Sequence, residues 1–163
     1  MATTSGRPPI FVDTNVLIRA NVQSAPKHGE ALAALKHLRN QETVLWISRQ
    51  VLREFMASVT REQTFMKPLA APLVDERIKY FEARFNVAED GALVTKKLCE
   101  FLLTIPIGGK QIHDANIVAT MVVHGLNQLF SLNPIDFERF SAHISVLTLP
   151  DVLPDAGKSD QET

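Results

Sequence analysis

The feature that most constrains the fold is the alternation of short apolar runs with longer segments of helical periodicity. Strands are expected at PIFVD (9–13), VLWIS (44–48), FNVA (85–88), QLFSL (128–132) and ISVLTL (144–149). Helical patterns lie between them, at 27–39, 49–60, 70–83, 90–104 and 111–124. Strands separated by helices pair in parallel through right-handed crossovers. The sequence therefore predicts a three-layer α/β/α sandwich with a mainly parallel central sheet.

The expected domain organisation is one folded unit with two flexible tails. The 163 residues are 45% hydrophobic and 21% charged, which is typical of a single globular domain. Residues 9–150 are expected to fold. Residues 1–8 and 151–163 are polar, contain Pro, Gly or Ser, and are expected to be tails.

Composition also limits the expected cellular location of the protein and the kinds of partner that it can bind. Cys99 is the only cysteine, which excludes an internal disulfide and a thiolate zinc cluster. No apolar run reaches membrane-spanning length and the chain does not open with a secretory signal, so a cytoplasmic protein is expected. A net charge of −1 argues against a protein that coats duplex nucleic acid through a broad basic surface. It is compatible with an enzyme that meets phosphates through a bound metal.

One carboxylate, Asp13, stands at the carboxyl end of the first predicted strand. Ligand chemistry in parallel sheets gathers just beyond this end. Aspartate is also a good N-cap, and Asp13 precedes a helical segment, VLIRA. Position and residue type alone leave the cap and the functional site equally supported.

Three further acids have the same ambiguity. Glu54 lies beside the expected apolar face of its helix, which carries Val51, Leu52, Phe55 and Val59, and could be a solvated boundary residue. Asp114 lies in the first turn of a largely apolar helix, where the helix dipole favours a carboxylate whatever its function, but where an unpaired buried carboxylate costs several kcal/mol. Asp136 follows an Asn-Pro turn and could cap a short helical segment.

Taken together, the four acids favour an all-oxygen metal site built from distant segments. Their spacing excludes a local calcium-binding loop. Oxygen ligands suit Mg²⁺ or Mn²⁺ rather than zinc. Such a site hydrolyses phosphodiesters by activating a water molecule.

Four segments, in this order, resemble the successive motifs of the PIN-domain family: VDTNVLIRA, SRQVLREFMASV, GGKQIHDANIVATMVVHG and LFSLNPIDFERF. The similarity spans residues 9–150, and the chain looks most like VapC-type toxins of prokaryotic toxin–antitoxin pairs. It implies a parallel α/β fold whose acidic cluster binds Mg²⁺ or Mn²⁺ and cleaves RNA. It also implies a cognate antitoxin and a homodimer.

The resemblance assigns roles to the matched residues. Asp13 and Asp114 would be the principal metal ligands, and Glu54 a direct or water-mediated ligand that orients the attacking water. The fourth motif departs from the acidic pattern: Asn133 stands where many relatives have aspartate, and Asp136 follows three residues later. The fourth ligand is therefore open between Asn133 and Asp136. The residues expected to support the cluster are Thr14, Asn15, Ser48 and Asn116.

Basic residues near the motifs are expected to contact RNA phosphates; they are Lys110, Arg49 and Arg53. A solvated charged surface is the alternative for each. The sequence GGK at 108–110 is not a phosphate-binding P-loop, because Gln111 follows Lys110 where the motif requires Ser or Thr.

Two other functions compete with a metal-dependent endoribonuclease. A catalytically silent PIN-like module would bind RNA or a protein, but it would not need Asp13, Glu54 and Asp114. A phosphatase with Asp13 as nucleophile would need a second aspartate two residues on, where this chain has Asn15.

Overall fold

The computed structural model describes residues 6–154, which are built around a five-stranded sheet. The strands are β1 (Ile10–Val12), β2 (Leu45–Ser48), β3 (Asn86–Ala88), β4 (Gln128–Phe130) and β5 (Ser145–Leu147). Their spatial order is β3-β2-β1-β4-β5, and each neighbouring pair is parallel. The parallel α/β fold predicted from the sequence is confirmed.

Helices fill the connections between the strands. They are α1 (Thr14–Asn21), α2 (His28–Asn40), α3 (Arg49–Val59), α4 (Ala71–Arg84), α5 (Ala92–Thr104), α6 (Gln111–Val123), a 3₁₀ helix (Pro134–Phe140) and α7 (Leu149–Val152). The chain steps from β1 outward to β3 and then crosses back to β4 and β5. Right-handed crossovers therefore place α1 to α4 on one face and α5, α6 and the 3₁₀ helix on the other.

Both faces of the sheet are covered, which explains why the strands are apolar runs without alternation. All three residues of β1 are buried. Six phenylalanines are fully buried and supply much of the core volume: Phe11, Phe55, Phe81, Phe130, Phe137 and Phe140. This packing fixes the position of the end of β1, and Asp13 directly follows that end.

Two helix ends are defined by capping hydrogen bonds, and both belong to helices that carry acidic residues. Ser48 is the N-cap of α3, and its hydroxyl accepts a hydrogen bond from the backbone N–H of Val51 at 3.3 Å. Gly125 ends α6 in the left-handed region, with φ of 71°. The N–H of Leu126 then bonds the carbonyl of Met121 at 2.8 Å, which closes a Schellman cap.

The carboxyl end of the folded region differs from the expected boundary at residue 150. Helix α7 continues to Val152, whose side chain is buried. Asp151 accepts hydrogen bonds from the N–H and the hydroxyl of Thr148, both at 2.8 Å, and so caps this helix. The folded region therefore extends two residues beyond that boundary, while residues 1–5 and 155–163 of the expected tails lie outside the described residues. None of the helices within 6–154 combines the length and apolarity needed to cross a membrane.

Candidate metal centre

The structure brings the four singled-out acids to one cleft at the carboxyl edge of the sheet. Asp13 follows β1, Glu54 lies in α3, Asp114 lies in the first turn of α6, and Asp136 lies in the 3₁₀ helix. The cleft has a volume of about 430 Å³, and its other lining residues are Thr14, Asn15, Ile18, Ala57, Ser58 and Arg61. It opens beside β1, where the strand order reverses, which is the usual place for ligand chemistry in such sheets.

Asp13 is both the N-cap of α1 and a member of the cleft. Its Oδ1 accepts a hydrogen bond from the N–H of Thr14 at 2.8 Å, and its Oδ2 accepts one from the hydroxyl of Ser131 at 2.7 Å. Burial, together with a smaller effect of the charges of Glu54 and Asp114, raises the pKa of Asp13 to about 7, although the two hydrogen bonds lower it. Asp13 therefore caps α1 and can belong to the candidate metal site at the same time.

Glu54 is held by donors from two different helices. Its Oε2 accepts a hydrogen bond from the hydroxyl of Thr14 at 2.6 Å, and its Oε1 accepts one from the Gln50 amide at 2.7 Å. The same Gln50 nitrogen donates to the carbonyl of His113 at 2.8 Å, and Gln50 is buried. Gln50 thus ties Glu54 to α6 as well as to its own helix.

A polar chain extends from Gln50 away from the cleft. The Asn116 side-chain nitrogen donates to Gln50 Oε1 at 2.7 Å and to Asp90 Oδ2 at 3.1 Å. Asn116 was expected to support the acidic cluster, and the structure places it one step behind, in contact with Gln50. Its influence on Glu54 therefore acts through the orientation of the Gln50 amide.

Asp114 is half-buried and lines the cleft from α6. Burial, together with the charges of Asp136 and Glu54, raises its pKa to about 6, although His113 and Arg139 lower it. The acids of the cleft therefore act on one another electrostatically. A divalent cation between them would relieve this repulsion.

Asp136, and not Asn133, lines the cleft. The Asn133 side chain is exposed and donates to Asp136 Oδ2 at 2.5 Å. The backbone N–H of Asn133 donates to the hydroxyl of Ser131 at 3.0 Å, so the turn is anchored next to Asp13. Asn133 thus holds Asp136 at the edge of the cleft.

The donor set fits Mg²⁺ or Mn²⁺ in kind, because it consists of carboxylate oxygens. Within residues 6–154, no three histidine, cysteine, aspartate or glutamate side chains converge on one point as a finished metal site. Both oxygens of Asp13 and both of Glu54 accept hydrogen bonds from protein donors. Each carboxylate oxygen has a second lone pair, so these hydrogen bonds are compatible with binding of an ion that draws the acids closer together.

The remaining expected residues fall into two groups. Asn15 supports the cluster, because its amide bonds the hydroxyl of Ser131 at 3.3 Å and accepts from the N–H of Leu132 at 3.2 Å. Ser48 caps α3 and makes no hydrogen bond to the acids of the cleft among the described residues. Ser48 therefore supports the acids only indirectly, because it fixes the start of the helix that carries Glu54.

The three expected RNA contacts lie outside the acidic cleft. Arg49 is engaged by Glu82 at 2.5 Å and by Glu89 at 2.8 Å. Arg53 lies 3.8 Å from Asp90. Lys110 is exposed at the N-terminus of α6.

Three residues of the site were not predicted: Gln50, Arg61 and Ser131. Gln50 precedes Glu54 by one helical turn, so the two share a helix face that the sequence shows. Arg61 lies after the end of α3 at Val59, and only the fold places it at the cleft. Ser131 directly follows the strand that pairs with β1. That neighbour relation required the strand order, which the sequence pattern does not supply.

Comparison with known proteins identifies the family. The family model of the PIN domain matches residues 10–142. No curated protein sequence matches the chain. Similar solved structures include VapBC2 from Rickettsia felis bound to a promoter DNA fragment, with a TM-score of 0.63 and 17% identity over 85% of this chain and 97% of that one.

Two further structures share the fold. VapC20 from Mycobacterium tuberculosis, described as a sarcin–ricin loop cleaving toxin, gives a TM-score of 0.59 and 19% identity over 83% of this chain and 96% of that one. A toxin–antitoxin complex from Klebsiella pneumoniae gives 0.58 and 22% over 86% and 97%. The matched family model covers strands β1 to β4 and the four acids of the cleft, and the chain belongs to the PIN-domain family.

Proposed function

We propose that the protein is an endoribonuclease that uses Mg²⁺ or Mn²⁺ to cleave RNA phosphodiesters, and that it is the toxin of a toxin–antitoxin pair. The observation that carries this proposal is the meeting of Asp13, Glu54, Asp114 and Asp136 in one cleft from four separate elements. Membership of the PIN-domain family supports it. The pKa values of Asp13 and Asp114 are both raised, by burial and by the charges of neighbouring acids, and a cation bound between the acids would offset this repulsion.

In this proposal Asp13 and Asp114 hold the ion, and Glu54 and Asp136 complete its surroundings directly or through water. The bound ion would supply a water nucleophile at neutral pH and stabilise charge on the phosphate oxygens. Asp13 must be deprotonated to act as a ligand, so the ion competes with the proton that burial favours. Thr14 and Gln50 hold Glu54 from both sides, and Glu54 orients the water.

The partners follow from the similar proteins. VapC20 is described as a sarcin–ricin loop cleaving toxin, and the Klebsiella pneumoniae structure is a toxin–antitoxin complex. We extend both properties to this chain as an RNA substrate and a cognate antitoxin. The family resemblance adds a homodimer, and the composition of the sequence adds a cytoplasmic location. For the RNA contact, we add Arg61 to the basic residues expected from the sequence, because it lines the cleft.

The test is RNA cleavage by the purified protein with Mg²⁺ or Mn²⁺, with EDTA, and with the variants Asp13→Asn and Asp114→Asn. Cleavage should require the ion and should fall by orders of magnitude in both variants. Glu76→Gln is a matched control, because Glu76 is an exposed acid of α4 outside the cleft. Cleavage that survives EDTA and both substitutions excludes the metal mechanism. RNA binding without any cleavage in the wild type would instead support the silent module.

A further inference from the structure

A second cavity lies beside the acidic cleft and has a volume of about 370 Å³. Its apolar walls come from three helices: Ala57 of α3, Leu98 of α5 and Ile112 of α6. Leu98 and Ile112 are each half-buried, so part of their apolar surface remains open to solvent. We refer to this cavity as the Leu98–Ile112 pocket.

The pocket is continuous with the acidic cleft. Glu54 and Ala57 line both cavities. The first turn of α6 divides them, since Asp114 faces the cleft while Ile112 and His113 line the pocket. When a molecule binds at the carboxylates of the cleft, the neighbouring part of that molecule can therefore enter the pocket.

The rim of the pocket is polar and includes one cation, Arg53, beside the Glu54 carboxylate that the pocket shares with the cleft. Asn116, His113 and Arg53 belong to its lining. Arg53 is largely exposed, and its contact with Asp90 is long, at 3.8 Å. A site with apolar walls, a polar rim and a cation at its mouth complements a flat ring attached to a phosphate chain.

We propose that the Leu98–Ile112 pocket receives one unstacked nucleobase of the RNA substrate, next to the phosphodiester that is cleaved. The proposal rests on the endoribonuclease function proposed above and adds a substrate requirement to it. A nucleobase has two apolar faces and a polar edge, and proteins that recognise RNA commonly bind such bases after they leave the stack. The cavity volume lies near the lower end of the range for ligand sites, about 300–1,000 Å³.

The consequence is selection for unpaired nucleotides at the cleavage position. A base inside a duplex stays stacked and paired, and drawing it out costs a few kcal/mol. The enzyme should therefore cleave in loops, bulges or single strands, and should lose activity when the base next to the cleaved bond is removed.

Binding can be tested without catalysis. The metal-free protein is titrated with each of the four ribonucleoside 5′-monophosphates and with ribose 5-phosphate, while the methyl signals of Leu98 and Ile112 are followed by NMR. At least one nucleotide should shift both signals saturably, and ribose 5-phosphate should not. If no nucleotide shifts them, or if ribose 5-phosphate shifts them equally, the pocket does not bind a base.

Matched substitutions locate the effect in the pocket. Leu98→Trp should fill the cavity and abolish the shift of the Ile112 methyl signal. Leu98→Met, which conserves volume, should retain it. Leu103→Trp places the same side chain on the same helix at a position that is 86% exposed, and should behave as wild type. Thermal unfolding confirms that each variant is folded.

A cleavage assay separates this inference from the function on which it rests. An abasic nucleotide next to the cleaved bond should lower kcat/KM at least about 5-fold, the lower limit for loss of one bound base. Leu98→Trp should cleave the intact and abasic RNAs at similar rates. RNA cleavage by the wild type without any abasic effect overturns the base pocket alone. Absence of all cleavage, with nucleotide binding intact, overturns the proposed nuclease and leaves the pocket.

Discussion

The amide nitrogen of Gln50 lies 2.7 Å from Glu54 Oε1 and 2.8 Å from the carbonyl oxygen of His113, so one side chain joins α3 to α6 beside the acidic cleft. Glu54 and Asp114 sit on these two helices. A shift of one helix against the other would separate the acids that must share an ion. Gln50 is therefore a positioning residue for Glu54.

Replacing Gln50 should reduce both stability and metal-dependent cleavage. Gln50→Ala leaves Glu54 Oε1 and the Asn116 amide without a buried partner, which costs about 1–3 kcal/mol of unfolding free energy. Loss of such an outer partner typically weakens metal binding about 10- to 100-fold. The concentration of Mn²⁺ that gives half-maximal cleavage should rise, and kcat should fall more than KM changes.

Gln23→Ala is the control for the loss of a glutamine side chain, because Gln23 is exposed and lies outside the cleft. Gln50→Glu separates positioning from packing, since it keeps the volume but places a carboxylate beside Glu54. A Gln50→Glu protein with wild-type Mn²⁺ dependence would contradict the positioning role.

The stability of the metal-free protein should fall as pH rises from about 4 to 7. The pKa of Asp13 is about 7 in the folded state against the ordinary 3.8, so in this interval the folded protein holds a proton that the unfolded chain has lost. Loss of this proton from the folded protein as the pH rises therefore favours the unfolded state. The free energy of unfolding should fall by about 2 kcal/mol between pH 5.5 and pH 8. Asp114, with a pKa of about 6, contributes in the same direction.

Asp13→Asn isolates this effect, because the variant keeps the same five histidines as the wild type. Its free energy of unfolding at pH 8 should exceed that of the metal-free wild type, and the difference should shrink at pH 5.5. Urea unfolding in EDTA at both pH values measures it. Parallel pH profiles for the two proteins would show that the proton is not held at Asp13.

Asp136 should matter more for metal binding than Asn133. Asp136 lines the cleft and acts electrostatically on Asp114, whereas Asn133 is exposed and contacts Asp136 from outside. Asp136→Ala should raise the Mg²⁺ concentration for half-maximal cleavage at least about 10-fold. Asn133→Ala should change it less, because it removes only the hydrogen bond that holds Asp136. Equal effects of the two substitutions would assign Asn133 a direct part in the site.

The sequence predicts the sheet and the acidic residues because both are encoded locally. Apolar runs such as IFV at 10–12 mark buried strands, and Asp13 and Asp114 are conspicuous at the ends of buried elements. The supporting residues are different. Ser131 becomes a partner of Asp13 only when β4 is known to lie beside β1, which depends on tertiary contacts.

The basic residues illustrate the same limit. Arg49 and Arg53 precede Glu54 in sequence, and the sequence alone does not show whether either of them is paired with an acid. In the structure Arg49 forms salt bridges with Glu82 and Glu89, which belong to a different part of the chain. Whether a surface cation is free depends on acids that only the fold brings near it.

Arg61 should therefore be the stronger RNA contact. It is the one cation among the residues that line the acidic cleft, and within residues 6–154 no acid forms a salt bridge with it. Arg61→Ala should weaken RNA binding and lower the slope of log K against log salt by about 0.7, the value for one phosphate contact on a single strand. Arg49→Ala, the control, should leave the slope unchanged, because its charge is already neutralised. Fluorescence anisotropy with Asp114→Asn as the background avoids cleavage during the titration, and a slope that falls with Arg49→Ala but not with Arg61→Ala would reverse the assignment.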